Sequence, residues 1–189
     1  TTHGVSFLQG KALAVDPAGN RLTVQTAGGN QILDYDHLVL SPGIDFAPAP
    51  GNWNPNLTPH AWQAGAQTTL LKNQLAAMRS NETFVMTVPK SPYRCPPGPY
   101  ERACVVADYL RVKGRTGAKV IVLDANPNIQ AEPEAFTRAF TVTHAGRIQY
   151  VPNAGVVSVD SATRSIVTSA MTVSNAKVLN YIPNQRAGG

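Results

Sequence analysis

The sequence predicts an α/β fold: a Rossmann-like βαβ unit with β-rich segments before and after it. Three observations carry the prediction. Thr83–Val88 and Lys119–Asp124 are short, almost wholly apolar runs, as strands buried on both faces are. Between them residues 100–112 read as a helix, so the unit is a crossover of about 40 residues and implies parallel pairing. On either side, brief alternating runs are separated by Gly, Pro and Asn, the punctuation of hairpins.

The composition agrees. At 189 residues with 43% hydrophobic and 14% charged, the chain can bury a core and is not disordered. No apolar run approaches the ~18–20 residues that cross a bilayer, so no transmembrane segment is expected. The net charge of +5 comes from scattered Lys and Arg with little aromatic interleaving, which argues against nucleic acid as a partner. Thr1 is not an initiator Met and the chain stops at Arg186-Ala187-Gly188-Gly189, so a piece of a longer protein is expected.

In chain order, residues 5–8 and 13–15 are apolar strand candidates. Asp16-Pro17-Ala18-Gly19-Asn20 is a turn, and Arg21-Leu22-Thr23-Val24-Gln25 alternates as a half-buried strand does. Gly28-Gly29-Asn30 marks a second turn before Gln31-Ile32-Leu33, which completes a β-meander. Residues 36–41 read as a buried strand ending at Pro42-Gly43. Residues 46–59, with Pro48, Pro50, Pro55 and Pro59, read as linker or surface loop. Leu70, Leu71, Leu75 and Met78 predict a helix stopping near Arg79-Ser80-Asn81. Beyond the βαβ unit come a short helix at 134–140, a strand at 147–151, a hairpin of Val156–Asp160 with Ser165–Thr168, and a last strand at 176–182.

The chemistry concentrates in Arg94-Cys95-Pro96-Pro97-Gly98-Pro99-Tyr100-Glu101-Arg102, at the strand-to-helix turn where a dinucleotide fold places its glycine-rich loop. A pyrophosphate needs convergent N–H donors, and proline has none. The turn is therefore poorly built for a phosphate, and nicotinamide dinucleotide is not expected here. Asp124 stands where a ribose-binding acid would, or else is a turn residue. Cys95, ahead of a helix N-terminus and beside Arg94, is either a reactive thiol with its thiolate favoured or an inert small residue. Glu101 is either a proton acceptor for that thiol or a complement to the helix dipole. Cys104, within the helix, reads as core and not as a partner for Cys95. The histidines, His3, His37, His60 and His144, lack metal-ligand spacing and no metal site is expected; there is no Cys-x-x-Cys-His haem attachment and no Gly-x-Ser-x-Gly elbow.

Four stretches carry a family resemblance. Tyr35-Asp36-His37-Leu38-Val39-Leu40-Ser41-Pro42-Gly43 resembles the strand shared by flavoproteins with two dinucleotide folds. Pro59-His60-Ala61-Trp62-Gln63-Ala64-Gly65, the Cys95 loop, and Ile182-Pro183-Asn184-Gln185-Arg186-Ala187-Gly188 are narrower, and resemble the flavoprotein chain of flavocytochrome c sulfide dehydrogenase. The resemblance implies that residues 1–57 are part of an FAD-binding domain. It makes 58–180 a Rossmann-like second domain, of nicotinamide-domain type, that binds no nicotinamide. It makes 181–189 the return to the FAD domain. It implies sulfide as substrate, FAD as cofactor, a c-type cytochrome subunit as electron acceptor and a periplasmic location. By the same resemblance Cys95 is one cysteine of a redox disulfide whose other cysteine lies outside this chain. Glu101 handles protons, and Pro42 and Gly43 approach the cofactor.

The residues given contain no glycine-rich βαβ for the FAD pyrophosphate, so this stretch alone is expected neither to retain FAD nor to turn over. Its exposed sheet edges invite dimerisation. Two other readings stand beside the resemblance: a sulfide:quinone oxidoreductase, which shares the architecture, and a non-catalytic Rossmann-like module that packs on a partner.

Overall fold

The computed structural model describes residues 4–188; Thr1, Thr2, His3 and Gly189 lie outside the described residues, and the expectation for His3 with them. The chain divides into two compact units, Thr1–Pro42 and Gly43–Gly189.

The first unit is a meander. Strands β1 (Lys11–Asp16), β2 (Arg21–Thr26) and β3 (Gly29–Asp34) pair antiparallel in that order. Asp16 closes the first turn by accepting the Ala18 and Gly19 N–H groups on Oδ1 at 3.1 and 3.0 Å, as an Asx turn does. Among the described residues of this unit only Val24 is buried. Two expectations fail here. Residues 5–8 form no strand, and Phe7 is 88% exposed. Residues 36–41 form no strand either, with Val39 and Leu40 exposed. An apolar run becomes a strand only beside another strand that takes its backbone hydrogen bonds, and none pairs with these residues among those described.

The second unit holds the predicted crossover. In chain order it comprises β4 (Ile44–Phe46), β5 (Gly51–Asn52), α1 (Ala66–Ala76), β6 (Thr83–Val88), α2 (Gly98–Val112) and β7 (Lys119–Asp124). There follow α3 (Pro133–Arg138) with a π turn over Ala139–Thr143, β8 (Ile148–Val151), β9 (Val156–Asp160), β10 (Ser165–Thr168), β11 (Thr172–Val173), β12 (Val178–Asn180) and β13 (Gln185–Ala187).

A parallel sheet in the order β12-β6-β7-β8 forms the centre, with Phe84 opposite Val178 on one side and Val120 on the other. The two-residue period of β6 serves two cores. Phe84, Met86 and Val88 pack with Tyr100, Ala103, Val106, Ala107 and Leu110 of α2. Val85 packs the opposite way, with Leu123, Leu179, Val159 and Ile166 of the antiparallel layer. Because both faces are covered the strand reads as an unbroken apolar run, and each such buried side chain contributes about 1.5–3 kcal/mol.

The proline-rich segment is not a free loop. Its β5 pairs parallel with β9, Gly51 opposite Val159. Asn54 N–H donates to Ser161 Oγ at 2.7 Å, and the Thr58 and Ser161 hydroxyls share a buried hydrogen bond of 2.6 Å. These are contacts across a hundred residues, which local periodicity does not encode. The expected last strand at 176–182 is shorter, ending at Asn180, and the chain then adds β13, which pairs antiparallel with β4. Among the described residues no helix is long and apolar enough to cross a membrane.

Candidate active site

The loop from β6 brings Cys95 to the N-terminus of α2. Pro99 sits in the first turn of the helix, where its missing N–H costs nothing. Cys95 itself adopts φ +59°, and its carbonyl accepts the Gly98 N–H at 2.9 Å. The thiol is exposed and free. It opens onto a shallow cleft of about 310 Å³ lined by Ala61, Trp62, Arg94, Gly98, Glu101 and Arg102. Glu101 and Cys95 therefore share one cleft, as their spacing suggests.

Gly98 sets the width of this arrangement. A Cβ there would sit 2.8 Å from Trp62 Cη2 and 3.1 Å from Cys95 Sγ, so only glycine lets the indole and the thiol close on the helix start. Trp62 is held from both ends. Its backbone N–H donates to His60 Nδ1 at 3.0 Å and its indole N–H to the Arg94 carbonyl at 3.2 Å. His60 is buried, and desolvation first, then the Arg102 charge, drops its pKa to about 4, so it is neutral near pH 7.

Arg102, which follows Glu101 on α2, has no carboxylate partner among the described residues. It donates instead to three neutral acceptors, the Ala61 carbonyl at 2.6 Å, Asn180 Oδ1 at 2.8 Å and the His60 carbonyl at 3.1 Å. Its Cζ lies 4.8 Å over the Trp62 ring. Burial lowers its pKa to about 10, which leaves it a cation at neutral pH. Cys104 is half-buried on the same helix, its thiol pushed up by burial and then by the Glu101 charge, which is the behaviour of a core thiol.

Gly43 lies in a neighbouring depression of about 220 Å³, lined also by Tyr93, Arg94, Gln185 and Arg186; Arg94 borders both hollows. Gly43 has φ +77° and open space where a Cβ would be. Pro42 is exposed at the end of the other unit. Gln185 accepts the Arg94 N–H on Oε1 at 2.7 Å, which fixes the orientation of its amide, and leaves Nε2 buried without an acceptor among the described residues. An orphaned buried donor costs about 1–3 kcal/mol.

At the phosphate position the fit is absent. Pro96, Pro97 and Pro99 offer no N–H, and Gly98 has donated its own to Cys95. Asp124, the ribose-acid candidate, is fully buried. Its Oδ2 accepts the Tyr100 and Tyr150 hydroxyls at 2.7 and 2.8 Å, and its Oδ1 accepts both N–H groups of Asn126, backbone and side chain, at 2.8 Å. The turn and Asp124 thus offer no seat for the pyrophosphate and ribose of a nicotinamide dinucleotide. No group of three or more His, Cys, Asp or Glu able to hold a metal occurs among the described residues.

Sequence reasoning gave no role to Trp62, Arg102 or Gln185. The available signal was a cation one residue after Glu101 together with a buried Asn in an apolar strand.

The fold has many solved counterparts. An engineered water-forming NADPH oxidase is 19% identical at a TM-score of 0.57, over 93% of this chain and 37% of its own. A NAD-dependent persulfide reductase from A. fulgidus is 12% identical at 0.56, over 93% of this chain and 31% of its own. A pyridine nucleotide-disulfide family oxidoreductase from Enterococcus faecalis is 14% identical at 0.56, over 94% and 38%. The chain thus spans about a third of the length of these proteins, and at such identity they speak for the fold alone. The family model described as the central part of the flavoprotein chain of sulfide dehydrogenase (flavocytochrome c) matches residues 68–183, from α1 past the Cys95 cleft to the end of the central sheet. By that match the chain belongs to the family of flavocytochrome c sulfide dehydrogenase flavoprotein chains.

Proposed function

We propose that the intact protein is an FAD-dependent sulfide dehydrogenase that delivers electrons to a c-type cytochrome subunit, and that Cys95 receives the sulfur. One observation carries the reading: an exposed thiol at the start of α2, in a cleft that also holds a carboxylate and a guanidinium. Hydrosulfide attacks the Cys95 sulfur of a disulfide made with a cysteine elsewhere in the intact protein. A bond forms to the incoming sulfur, the old S–S bond breaks, and the other cysteine departs as a thiolate. Glu101 takes the proton of the new persulfide. FAD, when bound, supplies the conversion of the released electron pair into single transfers to a haem.

This chain's part is to hold the thiol, the proton acceptor and the cation in place; Gly43 and Pro42 would lie against the cofactor. The engagement of Asp124 by two tyrosines and the proline-rich turn support a second domain that takes no nicotinamide. The pairing of β4 with β13 brings residues 44–46 against 185–187, which supports assigning 1–57 and 181–189 to one FAD-binding domain and 58–180 to a Rossmann-like second domain. The periplasmic location belongs to the same proposal and rests on the family resemblance.

The test is sulfide-dependent reduction of cytochrome c by the full-length protein, compared with Cys95→Ser. Loss of at least 100-fold supports the reading; unchanged turnover removes Cys95 from it. Electron delivery to a quinone and not to cytochrome would redirect the assignment to a sulfide:quinone oxidoreductase.

A further inference from the structure

Arg102 is the unusual charge of this unit. A half-buried guanidinium usually faces a carboxylate, because removal from water without an opposite charge is costly. Here its three hydrogen bonds go to neutral oxygens, which hold it in place without neutralising it. Its Nε–H makes no hydrogen bond among the described residues, and only one hydrogen bond comes from Nη2, which carries two hydrogens. Two of the five donors of the fork are therefore unclaimed, on a side chain that lines the Cys95 cleft. The charged groups on that cleft are Arg94, Arg102 and Glu101, so its balance is positive. The Trp62 ring, with Cζ 4.8 Å from its centroid, covers one face of the guanidinium.

We propose that Arg102 makes the cleft in front of Cys95 a site for small sulfur monoanions, so that the substrate enters as hydrosulfide and not as neutral hydrogen sulfide. The inference rests on the sulfide reading above for the identity of the anion, and on the geometry alone for its charge. The chemistry favours it. An anion approaching a disulfide sulfur generates a second anion on the leaving thiolate, and a fixed cation lowers the energy of both. Arg102 would act as a binding and positioning residue through two parallel N–H donors, which lysine imitates only as a point charge.

The test uses the reduced full-length protein and two alkylating probes of similar size, anionic iodoacetate and neutral iodoacetamide. Modification of Cys95 is read by peptide mapping so that Cys104 does not contribute. In the wild type the iodoacetate-to-iodoacetamide rate ratio should exceed that of free glutathione, and added salt should lower it toward that value. In Arg102→Gln the ratio should fall about three- to tenfold, and Arg102→Lys should restore most of it. The same Gln variant should raise the KM for sulfide more than it lowers kcat.

A wild-type ratio equal to that of glutathione overturns the inference without any variant. A ratio that survives Arg102→Gln in a folded protein overturns it for this residue. The two readings fail separately. If Cys95→Ser leaves cytochrome reduction intact while the alkylation ratio still depends on Arg102, the sulfide reading falls and the anion site stands.

Discussion

Tyr100 donates its hydroxyl hydrogen to Asp124 at 2.7 Å, from the helix that begins beside Cys95 to the end of the neighbouring strand β7. The same hydroxyl accepts the Gln130 N–H at 3.1 Å, and Tyr150 donates to the same carboxylate oxygen. Burial first, with the hydrogen bonds adding to it, pushes both tyrosine pKa values well above the usual phenol range, so both are protonated donors near neutral pH.

Asp124→Asn should therefore be costly although it is nearly isosteric. All four hydrogen bonds to Asp124 come from donors, and an amide NH₂ would face two of them. The expected loss is about 2–4 kcal/mol, read from the midpoint of urea unfolding. A loss below about 0.5 kcal/mol would mean that the network does not carry stability.

His60 sets a pH dependence. Its folded pKa of about 4 lies below the unfolded value of 6.5, so the unfolded chain binds the extra proton more readily. The contribution to stability is fully present above pH 6.5 and is lost as pH falls from there toward 4, by about 1–3 kcal/mol in all. His60→Gln should flatten urea-unfolding stability between pH 6.5 and 4.5, and an unchanged slope would refute the assignment.

Gly98→Ala should hurt the thiol before it hurts the fold. The added methyl meets Trp62 Cη2 and Cys95 Sγ, both of which can shift, where a backbone atom could not. Thiol titration with an aromatic disulfide should show Cys95 reacting several-fold more slowly, with at most about 1–3 kcal/mol of destabilisation.

Glu101 is exposed, so Glu101→Gln should leave stability within about 0.5 kcal/mol. Turnover of sulfide by the full-length protein should drop about 100-fold if the carboxylate moves protons, with the Cys95 thiol count unchanged. Full turnover in the Gln variant would reduce Glu101 to a complement of the helix dipole.

The sequence made the crossover legible because its strands are buried on both faces. A double-sided strand is an uninterrupted apolar run, and β6 and β7 begin and end where such runs do. The same rule misread residues 36–41, since apolarity records the burial a segment seeks and not the neighbour that provides it. Cys95 and Glu101 stood out because the prolines around them mark a rigid strand-to-helix turn. Arg102 did not, because its meaning lies in Asn180, 78 residues later, and in carbonyls of the 60–61 bend. Long-range partners of single polar groups leave no periodic trace.

The antiparallel pairing of β4 with β13, reinforced by Arg186 and Asp45 at 2.6 Å, means that the first and last strands of the larger unit lie side by side. Everything from Phe46 to Gln185 hangs from that latch as a cassette. Such a cassette can be exchanged between proteins by two cuts at adjoining points, with its own interior hardly disturbed.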